Sequence, residues 1–304
     1  MFEGPFFTAM YFHNGNPKKI NLGIDPASLL PRDADWFAFQ PRGQYMYLKL
    51  LAGAAASAFL ATSAFAAPVN LTDWQWDTLN NSSSANWVVQ PSGNAVLQTI
   101  NGEPTVFFKD GANAQGTALS GTIKVGADGD NDFVGFVLGY SDGEINSASA
   151  DFILIDWKQG NQDVAKIGLS LSRVTGNATT TATDDYWAHN GVVSEIARAT
   201  NLGSTGWIDN VEYTFDLIFL PDLIQVYVGD VLEISVTALD AGVASFSNGS
   251  FGFYNYSQSQ VLYAGITEDV VIPDPDPVDV PEPAMLGLLG LGLVGVGAMR
   301  RRRK

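Results

Sequence analysis

Cysteine is absent from all 304 residues. Disulfides, iron–sulfur clusters, zinc–thiolate centres and thiol catalysis are therefore excluded. Nothing covalent staples the fold, and its stability has to come from the core and from any bound metal. Histidine is nearly as scarce. The chain has two, and His189 is the one that falls between residues 67 and 272. Any Ser-His-Asp triad or histidine metal site in that span must be built on this ring, with Asp184 or Asp185 nearby in sequence. Within Tyr186-Trp187-Ala188-His189 it reads more simply as a hydrogen-bonded member of an aromatic cluster. Cations are the third shortage: residues 67–272 carry 24 Asp and Glu against six Lys and Arg, a net charge of -18. Such a surface repels polyanions, so nucleic acid and anionic headgroups are poor partners and divalent cations are natural ones.

Long uncharged runs occur near both ends. Val280-Pro281-Glu282-Pro283 leads into the uncharged stretch Ala284 to Met299, and Arg300, Arg301, Arg302, Arg303 and Lys304 follow. At about 1.5 Å per residue that stretch spans roughly 24 Å as a helix, just short of a hydrocarbon core of about 30 Å. The basic cluster stays in the cytoplasm, which puts everything before Pro281 across the inner membrane. The order Pro-Glu-Pro, apolar helix, arginine cluster resembles the PEP-CTERM tail of Gram-negative bacteria, which an exosortase recognises and cuts much as GPI signals are removed. The simpler alternative is a plain membrane anchor, which needs neither Pro281-Glu282-Pro283 nor so many glycines.

The second run reads as a secretory signal peptide over 46–66. Met46-Tyr47-Leu48-Lys49 precedes the alanine-rich Leu50 to Ala61, and Ala64 and Ala66 supply small residues for signal peptidase to cut before Ala67. Residues 1–45 have no clear pattern and five prolines, so translation is expected to start at Met46, with a long extension as the alternative.

The span 67–272 suits one domain with a sizeable core. Short β-branched and aromatic runs separated by Gly, Asn, Asp and Ser recur from Asn86 to Ile266, the pattern of an all-β, two-sheet sandwich. Pro221-Asp222 and Gly229-Asp230 mark consecutive hairpins, and Asp184 to Thr200, including Glu195-Ile196-Ala197-Arg198-Ala199, reads as a helical turn or long loop. Residues 273–280 form an Asp/Pro linker to the tail at 281–304.

An ordered series of segments then points to a family. Asn86-Trp87-Val88-Val89 and Gly121-Thr122-Ile123 are followed by Asp130-Asn131-Asp132-Phe133-Val134-Gly135-Phe136, Asp156-Trp157-Lys158-Gln159, Gly206-Trp207 and Gly252-Phe253-Tyr254-Asn255-Tyr256. In order and spacing they resemble the C-terminal domain of thrombospondins across nearly the whole exported span. The resemblance implies a jelly-roll, concanavalin-like sandwich of the L-type lectin kind, with bound calcium and adhesive rather than catalytic work. Between Ala67 and Asn86 there is no room for the calcium repeats that precede this domain in thrombospondins, so a partner surface built on those repeats does not carry over.

The metal expectation falls on Asp128-Gly129-Asp130-Asn131-Asp132, where carboxylates on a glycine-containing turn can converge oxygens on a calcium ion. It is not an EF-hand, because Phe133 stands where that loop needs glycine. Asp130, Asn131 and Asp132 match the family's acidic triplet, with Asp128 and Asp142 as neighbours. The bland alternative is a solvated turn, in which Asp, Asn and Gly are common for conformational reasons. Trp157, Trp187 and Trp207 could stack on sugar rings, though large aromatics in a sandwich more often fill the core. The chain thus reads as an exosortase-sorted surface or matrix protein with a calcium-binding, adhesion-type domain. Its expected partners are exopolysaccharide or a cell-surface glycan or protein, and before processing the inner membrane. A glycoside hydrolase or lyase acting on exopolysaccharide and a structural envelope protein without specific ligand are the alternatives.

Overall fold

Runs such as Phe133-Val134-Gly135-Phe136-Val137-Leu138-Gly139-Tyr140 are apolar at nearly every position instead of alternating. A strand of that kind must be covered on both faces. The computed structural model describes residues 7–13, 16–22, 66–176 and 182–273, and this strand is buried along its entire length. The strands in chain order begin with β1 (Phe7–His13), β2 (Asn16–Leu22), β3 (Ala67–Pro68), β4 (Gln75–Thr78), β5 (Trp87–Val89), β6 (Ala95–Gln98), β7 (Thr105–Phe108), β8 (Thr117–Val125) and β9 (Phe133–Tyr140). They continue as β10 (Asp151–Lys158), β11 (Gly168–Thr175), β12 (Val193–Arg198), β13 (Glu212–Phe219), β14 (Leu223–Val228), β15 (Val231–Thr237), β16 (Ser250–Tyr256), β17 (Val261–Val270) and β18 (Ile272–Pro273).

Two antiparallel sheets make a jelly-roll sandwich. One runs β12-β11-β10-β9-β16-β7-β4; the other runs β15-β14-β13-β8-β17-β6-β5, with β3 beside β17. Alternate residues of both sheets meet in the inner core, among them Phe136, Ile155 and Trp157 from the first and Phe215, Leu217 and Tyr263 from the second. Phe253 and Tyr263 stack there at 4.4 Å between ring centroids, a contact worth about 0.5–1.5 kcal/mol beyond its buried area. The other residues of β9 and β10 point outward into a second layer. There Phe133, Val137, Tyr140, Phe152 and Leu154 pack against Ile145, Ala150 and Tyr186, the last on the short helix α1 (Ala182–Ala188). This outer layer makes β9 and β10 two-sided, and it positions the candidate site.

The expected hairpins β13–β14–β15 are present with Phe219 opposite Ile224 and Val228 opposite Val231. At the second turn Gly229 and Asp230 both adopt positive φ, 57° and 67°, as a two-residue turn matching strand twist requires. One expectation is corrected. Glu195 to Arg198 are not a helical turn but belong to β12, and the helix lies earlier, at Ala182–Ala188. The free edge of β11 pairs with this segment, Ser172 opposite Glu195, through a bulge at Leu171/Ser172, and Val193 is buried by it. Pairing and burial override the helical preference of Glu-Ile-Ala-Arg.

β1 and β2 form a hairpin joined to β18 at Ala9↔Pro273 and Met10↔Ile272. The proline-scattered sequence of that region did not announce it. The Pro281-Glu282-Pro283 motif, the stretch Ala284 to Met299, Arg300 to Arg303, Ala64 and most of the linker lie outside the described residues. Among the described residues no helix is long and apolar enough to cross a membrane.

Candidate functional site

The acidic turn joins β8 to β9, so its last residue enters the two-sided strand. Asp128 is half-buried and accepts hydrogen bonds from the Asp130 N–H at 3.0 Å, from Gln258 Nε2 at 2.9 Å and from the Ser259 hydroxyl at 2.5 Å. Burial opposes its charge, but the bonds from Ser259, Asp130 and Gln258 hold its carboxyl below the usual range. Asp130 accepts from the Asn131 N–H at 3.0 Å and from Asn101 Nδ2. Asp132 is buried, and its carboxylate lies 2.5 Å from Nζ of the fully buried Lys158. Burial raises the Asp132 carboxyl against the opposing pull of Lys158. The same ammonium donates to the Asn131 side-chain and backbone oxygens at 3.1 and 3.2 Å, and lies 4.6 Å from the Trp187 ring centroid and 5.1 Å from that of Phe133.

Each carboxylate of the turn has a protein partner, and the Asp130 and Asp132 side chains also meet one another. Among the described residues no group of three or more histidines and acids is placed to hold a metal ion. Asp142 is at the far end of β9, where it accepts from Gln75 Nε2 at 2.7 Å.

Next to Lys158, on the same outer face of β10, is Asp156, fully buried. Period two puts these two charges side by side, and Gly135 stands opposite Asp156 on β9. A Cβ at Gly135 would come within 2.0 Å of the Ile155 carbonyl oxygen, so only glycine allows this approach of the strands. His189 closes the cluster. Its Nε2 is 2.9 Å from Asp156 Oδ2, and its Nδ1 is 3.5 Å from the Ser170 hydroxyl and 3.7 Å from Glu195 Oε2. Burial alone would lower the His189 pKa, but Asp156 and then Glu195 overcome it and raise it to about 9. Glu195 in turn is held down to about 2, chiefly by the His189 hydrogen bond, with Arg198 adding to it. The histidine's carboxylate partners are thus Asp156 and Glu195. Asp185 instead accepts from the Val192 N–H, and the Asp184 side chain lies outside the described residues.

Over this cluster lies a shallow open pocket of about 90 Å³ lined by Phe133, Lys166, Trp187, His189, Glu195 and Arg198 among others. Of the three tryptophans, Trp157 and Trp207 are core residues. Their Nε1 atoms donate to the Thr205 carbonyl at 2.7 Å and the Asp132 carbonyl at 3.1 Å. Trp187 alone of the three is half-buried and faces the pocket. Sequence reasoning passed over Asp156, Lys158 and Glu195. The available signal was two charges at i and i+2 in Phe152-Ile153-Leu154-Ile155-Asp156-Trp157-Lys158, an otherwise apolar strand.

Residues 82–270 match the thrombospondin C-terminal region family, and residues 279–303 match the PEP-CTERM protein-sorting motif. Thrombospondin-4 of Bos taurus is 29% identical over 225 residues, covering 66% of this chain and 22% of the relative. Thrombospondin-3 of Homo sapiens is 28% identical over 228 residues, again 66% of this chain and 22% of the relative. The chain thus spans about a fifth of the length of the curated relatives it matches. Among solved structures, a carbohydrate-binding module, CBM66 from Bacillus subtilis, aligns with TM-score 0.46 and 14% identity, covering 66% of this chain and 97% of that one.

Proposed function

Because the chain belongs to the thrombospondin C-terminal region family, and its sorting motif implies export to the bacterial surface with processing by an exosortase, we propose that it is a non-catalytic adhesion protein holding a cell-surface or matrix polymer. The observation that carries this reading is the use made of the sole histidine of residues 67–272. Ser170 gives its proton to Asp156 at 3.0 Å, not to the imidazole, and is itself buried. Asp156 and Glu195 hold the ring charged, and a charged ring cannot act as the base that a serine nucleophile needs. The arrangement supports a fixed polar platform under a shallow pocket.

The test is incubation of the full chain, in detergent, with exopolysaccharide isolated from the producing cells. Co-sedimentation without new reducing ends is expected. Reducing ends that accumulate with time would make it a hydrolase or lyase, and self-assembly without polymer binding would make it structural.

Calcium enters the proposal through the family more than through the acidic turn, where Lys158 already serves Asp132. A ligand that binds only the folded state stabilises by about 2.7 kcal/mol at one hundred times its dissociation constant, so calcium is expected to raise the melting temperature. A response lost in Asp128→Ala/Asp130→Ala assigns the ion to the turn; a response that survives puts it elsewhere.

Processing is proposed to leave Ala67 as the first residue and to remove the arginine end. Mass spectrometry of the surface fraction is expected to find neither peptides from residues 1–45 nor an intact Lys304 terminus; recovery of either overturns the corresponding half.

A further inference from the structure

Residues 67–272 hold six Lys and Arg against 24 acids, yet three of those six cations gather at one place with the sole histidine of the span. Lys166 and Arg198 line the pocket over β10–β12 together with His189, and Lys158 lies beneath its Trp187 wall. The charges that face His189 can be counted element by element. Asp156 comes from β10, Glu195 and Arg198 from β12, and Lys166 from the β10–β11 connection, while Asp185 on α1 turns to the Val192 amide. The Lys158–Asp132 pair is closed on itself. Three cations against two carboxylates leave the pocket at +1 on a span of net charge -18.

Most of these cations are already committed. Arg198 bonds Glu195 and the carbonyls of Ile167 and Gly203, and His189 spends both ring nitrogens on protein acceptors. Lys166 is exposed and has no hydrogen bond or ion pair among the described residues. The pocket thus offers one free ammonium and an indole at the rim of a shallow opening of about 90 Å³, over a floor on which the charges of His189, Arg198, Asp156 and Glu195 cancel. A phosphate or sulfate, with no apolar face, would leave Trp187 unused. A sugar ring bearing a carboxylate uses both.

We propose that this pocket binds a uronic acid unit of an acidic polysaccharide, its carboxylate on Lys166 and its ring against Trp187. The inference rests on the polymer-binding reading and gives that polymer a chemistry. It also removes the need for a calcium bridge between an acidic protein and an acidic polymer. Because the charge on His189 makes the pocket positive, affinity should fall as pH rises through about 9.

The test uses the full chain in detergent with chelator present, titrated with an oligogalacturonate, with its methyl ester and with inorganic sulfate, and read by tryptophan fluorescence and calorimetry. The acid should bind at least tenfold more tightly than the ester. Lys166→Glu, an exposed change that leaves the core intact, should abolish the difference while the melting temperature stays unchanged. Equal binding of acid and ester, tighter binding of sulfate, or an unaltered Lys166→Glu overturns the assignment. If the producer's own polymer binds while oligogalacturonate does not, this pocket assignment fails and the polymer-binding function stands. If neither binds, both fail.

Discussion

Lys158→Met is expected to destabilise the sandwich by about 3–5 kcal/mol, the range observed when one partner of a buried ion pair is removed and the other is left uncompensated. Both groups qualify: the Lys158 side chain is 0% and the Asp132 side chain 3% exposed. The ammonium is also the common donor to Asn131 and lies over two aromatic rings, so its loss removes several of the contacts that close the end of the β8–β9 turn. Urea denaturation should show a lower midpoint at unchanged slope. The double change Lys158→Met/Asp132→Leu should recover much of the loss, because it removes the orphaned charge as well. A single variant as stable as the parent would mean that Asp132 reaches water or a metal ion instead of depending on Lys158.

The second large effect is on pH. His189 has a folded pKa of about 9 against an ordinary value of 6.5. Its contribution is therefore fully present below about 6.5 and is lost as pH rises through 9. A separation of that size corresponds to about 3 kcal/mol. Glu195 has the opposite sign: held at about 2 against an ordinary 4.5, its contribution is present above about 4.5 and is lost as pH falls toward 2. The cluster stabilises most between about pH 4.5 and 6.5. Denaturation midpoints measured at pH 6 and pH 9.5 should differ in the parent and converge in His189→Gln. An alkaline loss that persists in the variant would assign it to another group.

The strands of the sandwich were legible because β-branched and aromatic runs broken by Gly and Asp encode both period and turn. Leu223 to Val228, for instance, is bounded in the sequence as it is in the fold. The edge strand β12 was not, since Glu195 to Arg198 has helix-forming residues and becomes a strand only when the edge of β11 is there to pair with it. The site was legible in the same uneven way. The acidic turn announces itself by composition, but its partners Lys158, Gln258 and Asn101 are 26 to 126 residues away from it or on the other flank of β8. Which carboxylate meets a cation is decided by strand register, and register appears in no local window. His189 was visible as the single histidine of its span. Its neighbours were not, because Asp156 and Glu195 reach it across three strands.

The route by which the chain leaves the sandwich has a mechanical meaning. β17, the last strand of the two sheets before the linker and the sorting tail, is not at an edge: β8 pairs with one side of it and β6 with the other. A pull on a tethered C-terminus is directed along this strand, across interstrand bonds that stand perpendicular to it. Both ladders must then shear together, whereas an edge strand pulled sideways would unzip one bond at a time. For a domain without a single disulfide, leaving the sandwich from an interior strand supplies resistance to force that its chemistry does not.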